Sequence, residues 1–200
     1  MLGSLALLTS LERPAQLRSY AYSALNLQIK PEEIQEVLLL CSPFTGHPAV
    51  MNALEVVQGI FRERGVTPED FEVPRVPMEE LEARGLALAE QLFGSLGNSP
   101  GLQAAANLAP DLRQMLVAYV FGELYHRPVL DIKTRVLCTI AALTALRLDP
   151  PLGLFLEAGI RVGYSREEVI EIIIQMAPYA GFPASLYALQ VAEDHLSNVD

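Results

Sequence analysis

The feature that most constrains this chain is an internal repeat. Shifted by 135 positions without a gap, the sequence matches itself at sixteen of 57 positions, whereas about four matches are expected at ordinary residue frequencies. The best-matched segments are KPEEIQEVLLLCSPFTGHPAVMNAL at 30–54 and SREEVIEIIIQMAPYAGFPASLYAL at 165–189. A repeat of this length predicts two copies of one supersecondary unit that bury a shared core.

Both copies carry the signals of helix ends. Ser165 and Glu168 form a capping box, and Pro31 suits the first helical position of the other copy. Gly46 and Gly181 can adopt the left-handed conformation that ends a helix. Each copy also begins this helix with three glutamates, which we interpret as solvated capping acids at the positive end of the helix dipole. These glutamates are Glu32, Glu33 and Glu36 in the first copy, and Glu167, Glu168 and Glu171 in the second.

The positions of proline and glycine, together with the apolar pattern, predict an all-helical fold. No segment alternates apolar and polar residues as a strand would, and helices are expected between the Pro and Gly signals. The expected helices span 2–12, 14–29, 31–43, 48–64, 78–94, 110–125, 131–148, 150–162, 166–179 and 183–197. A loop is expected at Gly94–Gly101. We therefore divide the chain into a truncated first copy at 1–64, a linker at 65–77 and a more complete second copy at 78–200.

Composition excludes some partners. The chain has 51% hydrophobic and 19% charged residues, with a net charge of −10, so it can fill a core but does not suit nucleic acid or an anionic membrane surface. The apolar start MLGSLALLTSL aligns with Val136–Leu146 in the second copy, so we interpret it as a buried helix rather than a signal peptide. That helix must be covered by the other copy or by a second chain, which favours a homo-oligomer.

Cysteine use indicates a reducing compartment. Cys41 and Cys138 both lie in apolar helical runs and are not equivalent under the 135-residue shift, so we expect two buried free thiols and a cytoplasmic protein. The spacing of His47, His126 and His195 does not predict a metal site.

Three segments carry a resemblance to a known family. They are GLALAEQLFG at 85–94, VFGELYHRPVLDIKTRVLCTIAAL at 120–143 and GYSREEVIEIIIQMAPYAGFPASLYAL at 163–189. They resemble the carboxymuconolactone decarboxylase family, whose superfamily also holds the AhpD-type alkylhydroperoxidases. The resemblance implies an AhpD-like helical bundle, no cofactor, a small-molecule substrate and a homo-oligomer, with a trimer favoured for a duplicated chain.

The chain departs from the family at its reactive positions. The thiol branch carries a C-x-x-C-x-x-x-H run, and the equivalent residues in this chain contain neither thiol nor imidazole: Leu148, Pro151 and Phe155 in the second copy, and Arg13, Gln16 and Tyr20 in the first. The histidine of the decarboxylase branch would also fall on Phe155, and another family histidine would fall on Gln175. Thiol peroxidase chemistry is therefore not expected.

Polar residues around one expected cavity remain as candidates. Glu123 is the candidate catalytic residue, as general acid or base; the alternative is a salt bridge to Arg127 or Arg135. Arg135 could hold a substrate carboxylate or bridge Asp131. The other candidate substrate-binding residues are His126, which titrates near neutrality but lies in an exposed loop, and Tyr179, which could equally be a core aromatic.

Two functions follow from these residues. The first is a lyase or isomerase that acts by proton transfer on a carboxylate-bearing substrate. The second is a ligand-binding or assembly protein that kept the fold and lost the chemistry. An acid and an arginine around an enclosed polar space would favour the enzyme, whereas a cavity filled by Phe155 and Tyr20 would favour the scaffold.

Overall fold

The computed structural model of the chain describes residues 1–94 and 100–197, and this part contains helices but no strands. The all-helical prediction is therefore confirmed. The α-helices are α1 (Leu2–Ser10), α2 (Pro14–Asn26), α3 (Pro31–Leu40), α4 (Ser42–Thr45), α5 (His47–Arg64), α6 (Met78–Phe93), α7 (Pro100–Leu108), α8 (Pro110–Met115), α9 (Ile132–Leu146), α10 (Pro151–Arg161), α11 (Arg166–Ala180) and α12 (Phe182–Leu196). A π-helix (Leu116–Glu123) and a 3-10 turn (Leu124–His126) follow α8.

The helices form two compact units. The first unit holds residues 1–71 and the segment from residue 129 onward, and the second holds residues 72–128. The first copy thus shares a unit with its equivalent helices of the second copy, while the helices that only the second copy has belong to the second unit. The division into copies concerns the sequence repeat, which packing alone does not test, so it stays a prediction.

In the first unit, α1 packs mainly against α9. Every residue from Gly3 to Ser10 is buried, although the chain is described as a single copy. The apolar start of the chain is therefore covered by the helix that is its equivalent in the repeat. The predicted homo-oligomer is not needed to bury α1 and stays a prediction.

The backbone of the first unit repeats at the spacing of the sequence repeat. Gly46 ends α4 with φ 81° and ψ 157°, and Gly181 ends α11 with φ 85° and ψ 149°. Positive φ values also occur 135 residues apart at two further pairs of positions, Glu12 and Arg147 (50° and 53°), and Gln28 and Gly163 (62° and 92°). Positive φ thus recurs at the spacing of the sequence repeat at three pairs of positions.

The predicted capping box is confirmed at the start of α11. The backbone amide of Glu168 donates to Ser165 Oγ at 3.1 Å, and the amide of Ser165 donates to Glu168 Oε2 at 2.8 Å. In the first copy the amide of Lys30 donates to Glu33 Oε2 at 2.8 Å. The helix predicted at 31–43 is instead interrupted at Cys41, which separates α3 from α4.

The interpretation of the glutamates as solvated is correct for the second copy and wrong for two residues of the first. Glu167, Glu168 and Glu171 are exposed, but Glu32 and Glu36 are only 7% and 1% exposed. Glu32 accepts a hydrogen bond from the amide of Glu69 at 3.3 Å. Helix propensity and capping do not depend on which residues pack against the helix. The sequence pattern therefore could not show that the glutamates are buried in one copy and exposed in the other.

In the second unit, α6 packs against the π-helix. The prediction of one regular α-helix at 110–125 is wrong. Only α8 is α-helical, and the helix continues as a π-helix over Leu116–Glu123. The loop predicted at Gly94–Gly101 is also too long, since α7 begins at Pro100; residues 95–99 lie outside the described part. No described helix is both long and apolar enough to cross a bilayer.

Candidate functional site

Two glycines bring α6 and the π-helix into backbone contact. A Cβ added to Gly85 would overlap the carbonyl of Val117, and a Cβ added to Gly122 would overlap the carbonyl of Leu81. No other residue fits either position without moving the backbone. The two glycines therefore hold the second turn of α6 beside the end of the π-helix, a helix type that is frequent at functional sites.

This packing lies beside a cavity of about 490 Å³. Its wall is formed by the segment before α6, by two residues of α6 and by the end of the π-helix with the turn that follows it. The lining residues are Val73, Pro74, Arg75, Val76, Leu81, Arg84, Glu123, His126, Arg127 and Pro128. All of them belong to the second unit.

The charged residues of the cavity are three arginines and one glutamate. Arg84, Arg127 and Glu123 are half-buried, and Arg75 is exposed. Three guanidinium groups against one carboxylate give the cavity an excess of positive charge, and guanidinium binds carboxylates by paired hydrogen bonds. The cavity therefore suits a small anionic ligand that carries a carboxylate.

His126 is held by the main chain. Its Nδ1 lies 2.8 Å from the carbonyl oxygen of Phe121. A carbonyl oxygen can only accept, so Nδ1 carries the hydrogen and donates it. In the neutral ring the lone pair is then on Nε2.

Arg135, predicted to bind substrate, lies in the first unit and is fully buried. Its Nη1 is 3.1 Å from Glu36 Oε1, and its Nε donates to the carbonyl of Leu130 at 3.2 Å. The relative exposures of the Arg135 and Glu36 side chains are 0% and 1%. The salt bridge that the sequence considered for Arg135 thus forms with a glutamate of the first copy. Asp131 accepts from the amide of Thr134 at 2.6 Å, and this hydrogen bond holds the pKa of Asp131 below its usual range.

Tyr179 also lies in the first unit, where its hydroxyl contacts that of Tyr20. The two rings meet edge to face, with centroids 5.4 Å apart. The hydrogen bond with Tyr179, together with partial burial, raises the pKa of Tyr20 to about 12. Of the four predicted site residues, Glu123 and His126 therefore share one cavity, whereas Arg135 and Tyr179 belong to the other unit.

The two positions where the family would place an imidazole are occupied differently. Phe155 is 4% exposed and meets Phe44 edge to face with centroids 6.2 Å apart. Gln175 is exposed and lines a separate cavity of about 620 Å³ in the first unit. The side chain of Phe155 thus fills apolar core and offers no proton.

Sequence reasoning missed Arg75 and Arg84 as cavity residues. Arg75 lies in the segment interpreted as a linker, and Arg84 lies on the helix predicted at 78–94, to which no site residue was assigned. Arg84 could have been found from its position directly before Gly85. A glycine that allows two helices to come close also places its neighbours next to the second helix. Nothing in the sequence marks Arg75. Arg127 was named only as a salt-bridge partner for Glu123, yet it lines the same cavity.

Neither thiol belongs to this cavity. Cys41 and Cys138 are free and buried, as the sequence predicted. Burial raises the pKa of Cys41 to about 12, and it raises that of Cys138 as well, so both remain neutral thiols. Within residues 1–94 and 100–197, no three His, Cys, Asp or Glu side chains come together in a way that could hold a metal ion.

Comparison with known proteins places the similarity over the second copy. The model of the carboxymuconolactone decarboxylase family matches residues 110–194. This range contains Glu123, His126 and Arg127, and ends shortly before the end of α12. Arg75 and Arg84 precede it.

Individual relatives extend the match. The chain is 31% identical over 116 residues to the 4-carboxymuconolactone decarboxylase of Acinetobacter baylyi, a match that covers 58% of this chain and 87% of that protein. It is 31% identical over 101 residues to an uncharacterized 15.0 kDa protein of Paracoccus denitrificans, covering 50% and 75%. It is 24% identical over 115 residues to the nitrosuccinic acid decarboxylase npaB of Metarhizium robertsii, covering 58% and 80%.

Proposed function

The chain belongs to the carboxymuconolactone decarboxylase family, and we propose that it is a cofactor-free lyase or isomerase that transfers a proton on a small carboxylate-bearing substrate. The observation that carries this proposal is that Glu123 shares one cavity with three arginines. Two of the three relatives are named as decarboxylases, which agrees with the proposed reaction class.

In this proposal the arginines hold the substrate. Arg84 is on a helix whose position is fixed by backbone contact, so it is the main anchor of a substrate carboxylate, and Arg127 and Arg75 add charge. Charge-assisted and paired hydrogen bonds give such an anchor both strength and orientation. The role that the sequence suggested for Arg135 thus passes to arginines of the cavity.

Glu123 carries the proton. When the bond between a carboxylate and the carbon next to a carbonyl breaks, CO₂ leaves and the electron pair passes into the carbonyl as an enolate. That carbon then takes one proton from the Glu123 carboxyl group, which returns to carboxylate and is reloaded from solvent. One proton is consumed per turnover, and no oxidant or reductant takes part.

A second candidate is a non-catalytic ligand-binding protein. It is favoured by Phe155, which fills the position of the family imidazole and packs against Phe44. In this alternative the arginines of the cavity still bind a carboxylate, but no proton is transferred. Thiol peroxidase activity is not proposed, because the positions of the family thiols hold other residues and Cys41 and Cys138 are buried.

The test is proton NMR in deuterated buffer with a panel of unsaturated lactone carboxylates and β-keto acids. We expect the wild-type protein to decarboxylate or exchange at least one compound, and Glu123→Gln to lower its kcat by about 10²- to 10⁴-fold. The matched control is Glu90→Gln, which changes an exposed glutamate of α6 outside the cavity and should leave kcat unchanged.

Two results would count against the proposal. If the wild-type protein binds compounds of the panel but neither decarboxylates nor exchanges them, the ligand-binding alternative is correct. If Glu123→Gln turns over as fast as the wild type, the protein is an enzyme but its proton carrier is not Glu123.

A further inference from the structure

One part of the cavity wall is a single short stretch of chain. Residues 73–76 all line the cavity, and they belong to the segment 66–77, which contains neither helix nor strand. We call residues 73–76 the strap. The other lining residues lie on α6, at the end of the π-helix and in the turn that follows it. The strap can therefore change its position without disturbing a helix.

The sequence of the strap makes it stiff. Pro74 fixes its own φ, and the prolines at 74 and 77 restrict the residues before them, Val73 and Val76, to extended conformations. Pro77 has φ −57° and ψ 150°, which are the angles of an extended polyproline-type segment. Such a segment moves as one piece about its ends.

Few interactions fix the strap in position. In the part of the chain that the structure describes, residues 72–76 form no hydrogen bond, whereas α6 is hydrogen-bonded from the carbonyl of Pro77 onward. Val73 and Val76 are half-buried, and Pro74 and Arg75 are exposed. Segments with unpaired backbone groups and few buried side chains open at a low cost in free energy. A ligand can therefore hold the strap with a small number of contacts.

Arg75 is the charged residue of the strap. Among the described residues, none forms a hydrogen bond or an ion pair with its guanidinium. Arg84 and Glu123 line the same cavity and are half-buried. The two oxygens of a carboxylate accept more hydrogen bonds than one guanidinium donates to them, so a carboxylate held by Arg84 can also accept from Arg75.

We propose that the strap closes over a bound carboxylate and that Arg75 is the residue that holds it closed. The inference deepens the proposed function and rests on it for the class of ligand. In the closed state the ligand accepts hydrogen bonds from both Arg75 and Arg84, and the strap separates these bonds from solvent. Charge-assisted hydrogen bonds are stronger where water is excluded, so closure slows the release of the ligand.

The first test is limited proteolysis, because trypsin cuts after arginine in exposed, irregular segments. The probe is paraconate, a saturated lactone carboxylate. At about ten times its Kd, paraconate should slow cleavage after Arg75 by roughly tenfold, since it holds the strap in the closed state. The matched control is cleavage after Arg147, an exposed arginine in the turn that ends α9, whose rate should not change.

The second test is the variant Arg75→Met, which separates a clamp from a group that only attracts the ligand. We expect the dissociation rate constant of paraconate in surface plasmon resonance to rise by roughly tenfold, with an association rate constant within about twofold of the wild type. A guanidinium that only adds charge would change the association rate instead, and its effect would disappear at high salt. Arg62→Met, which changes an exposed arginine of α5, should alter neither rate.

Three results would overturn the strap. They are unchanged cleavage after Arg75 in the presence of bound paraconate, an effect of Arg75→Met on the association rate alone, and a wild-type protein that does not bind paraconate. None of them decides the proposed function, which depends on turnover of the panel. Conversely, protection of Arg75 without turnover of any compound would confirm the strap and refute the proposed function.

Discussion

Two arginine–glutamate arrangements in this chain have opposite surroundings. In the first unit, Arg135 and Glu36 are 3.1 Å apart and have relative exposures of 0% and 1%. In the second unit, Arg84 and Glu123 are half-buried and line a cavity of about 490 Å³. The fully buried charges satisfy each other, whereas the half-buried charges face space that a ligand can enter.

This difference shows why a conspicuous arginine in a sequence motif is not by itself a substrate anchor. Arg135 lies in the LDIKTR segment that carries the family resemblance, and that segment suggested a role in binding. In the structure its guanidinium pairs with Glu36 inside the core, where an unpaired charge would be costly. The arginines that can contact a ligand are those that line a cavity.

The largest expected effect comes from breaking the buried pair. Arg135→Met removes the guanidinium that pairs with the buried carboxylate of Glu36, so we expect the free energy of unfolding to fall by about 3–5 kcal/mol. Urea unfolding followed by circular dichroism measures this loss. The double variant Arg135→Met, Glu36→Leu removes both charges and should recover most of the stability. A single variant as stable as the wild type would show that the pair contributes nothing.

A smaller loss is expected from the contact beside the cavity. Gly122→Ala places a Cβ against the carbonyl of Leu81, so α6 must shift, at a cost of about 1–3 kcal/mol. Because Arg84 moves with α6, KM should rise as well. The matched control is Gly59→Ala on α5, where the nearest atom would be 4.0 Å away and stability should rise by up to about 1 kcal/mol. Equal unfolding midpoints for the two variants would contradict the close packing.

The smallest effect on stability is expected inside the cavity. Arg84→Met should change the free energy of unfolding by less than about 0.5 kcal/mol, because no core charge loses its partner. It should raise KM by roughly tenfold or more, since charge-assisted hydrogen bonds to the substrate are lost. The control is Arg113→Met, whose guanidinium lies 3.6 Å from Glu82 outside the cavity lining. An unchanged KM in Arg84→Met would assign the anchor to another arginine.

Most of the helices could be predicted from the sequence because their signals are local. Ser165 and Glu168 form the capping box that their spacing predicts, and Gly46 and Gly181 end helices with positive φ. The widening of the helix at 116–123 could not be predicted. Its residues have ordinary helical character, and the close approach of α6 at Gly85 and Gly122 becomes visible only when both helices are in place.

The site was predicted in part. Glu123 and His126 were named as candidates and line one cavity. Arg135 and Tyr179 were named with them and lie in the other unit. Tyr179 meets Tyr20, and Arg135 meets Glu36, which is 99 residues away in the chain. A pairing over such a distance leaves no trace in local spacing.

What the sequence determined by itself is most of the helices, most of their ends and the repeat, at whose spacing of 135 residues positive φ recurs. These properties depend on neighbours within a few residues, where backbone conformation and capping are decided. Only the tertiary structure decided which charges are buried and which line a cavity. That outcome depends on which helix packs against each charged residue. Arg135 is a core residue because it faces Glu36, whereas an arginine that faces a cavity can bind a ligand.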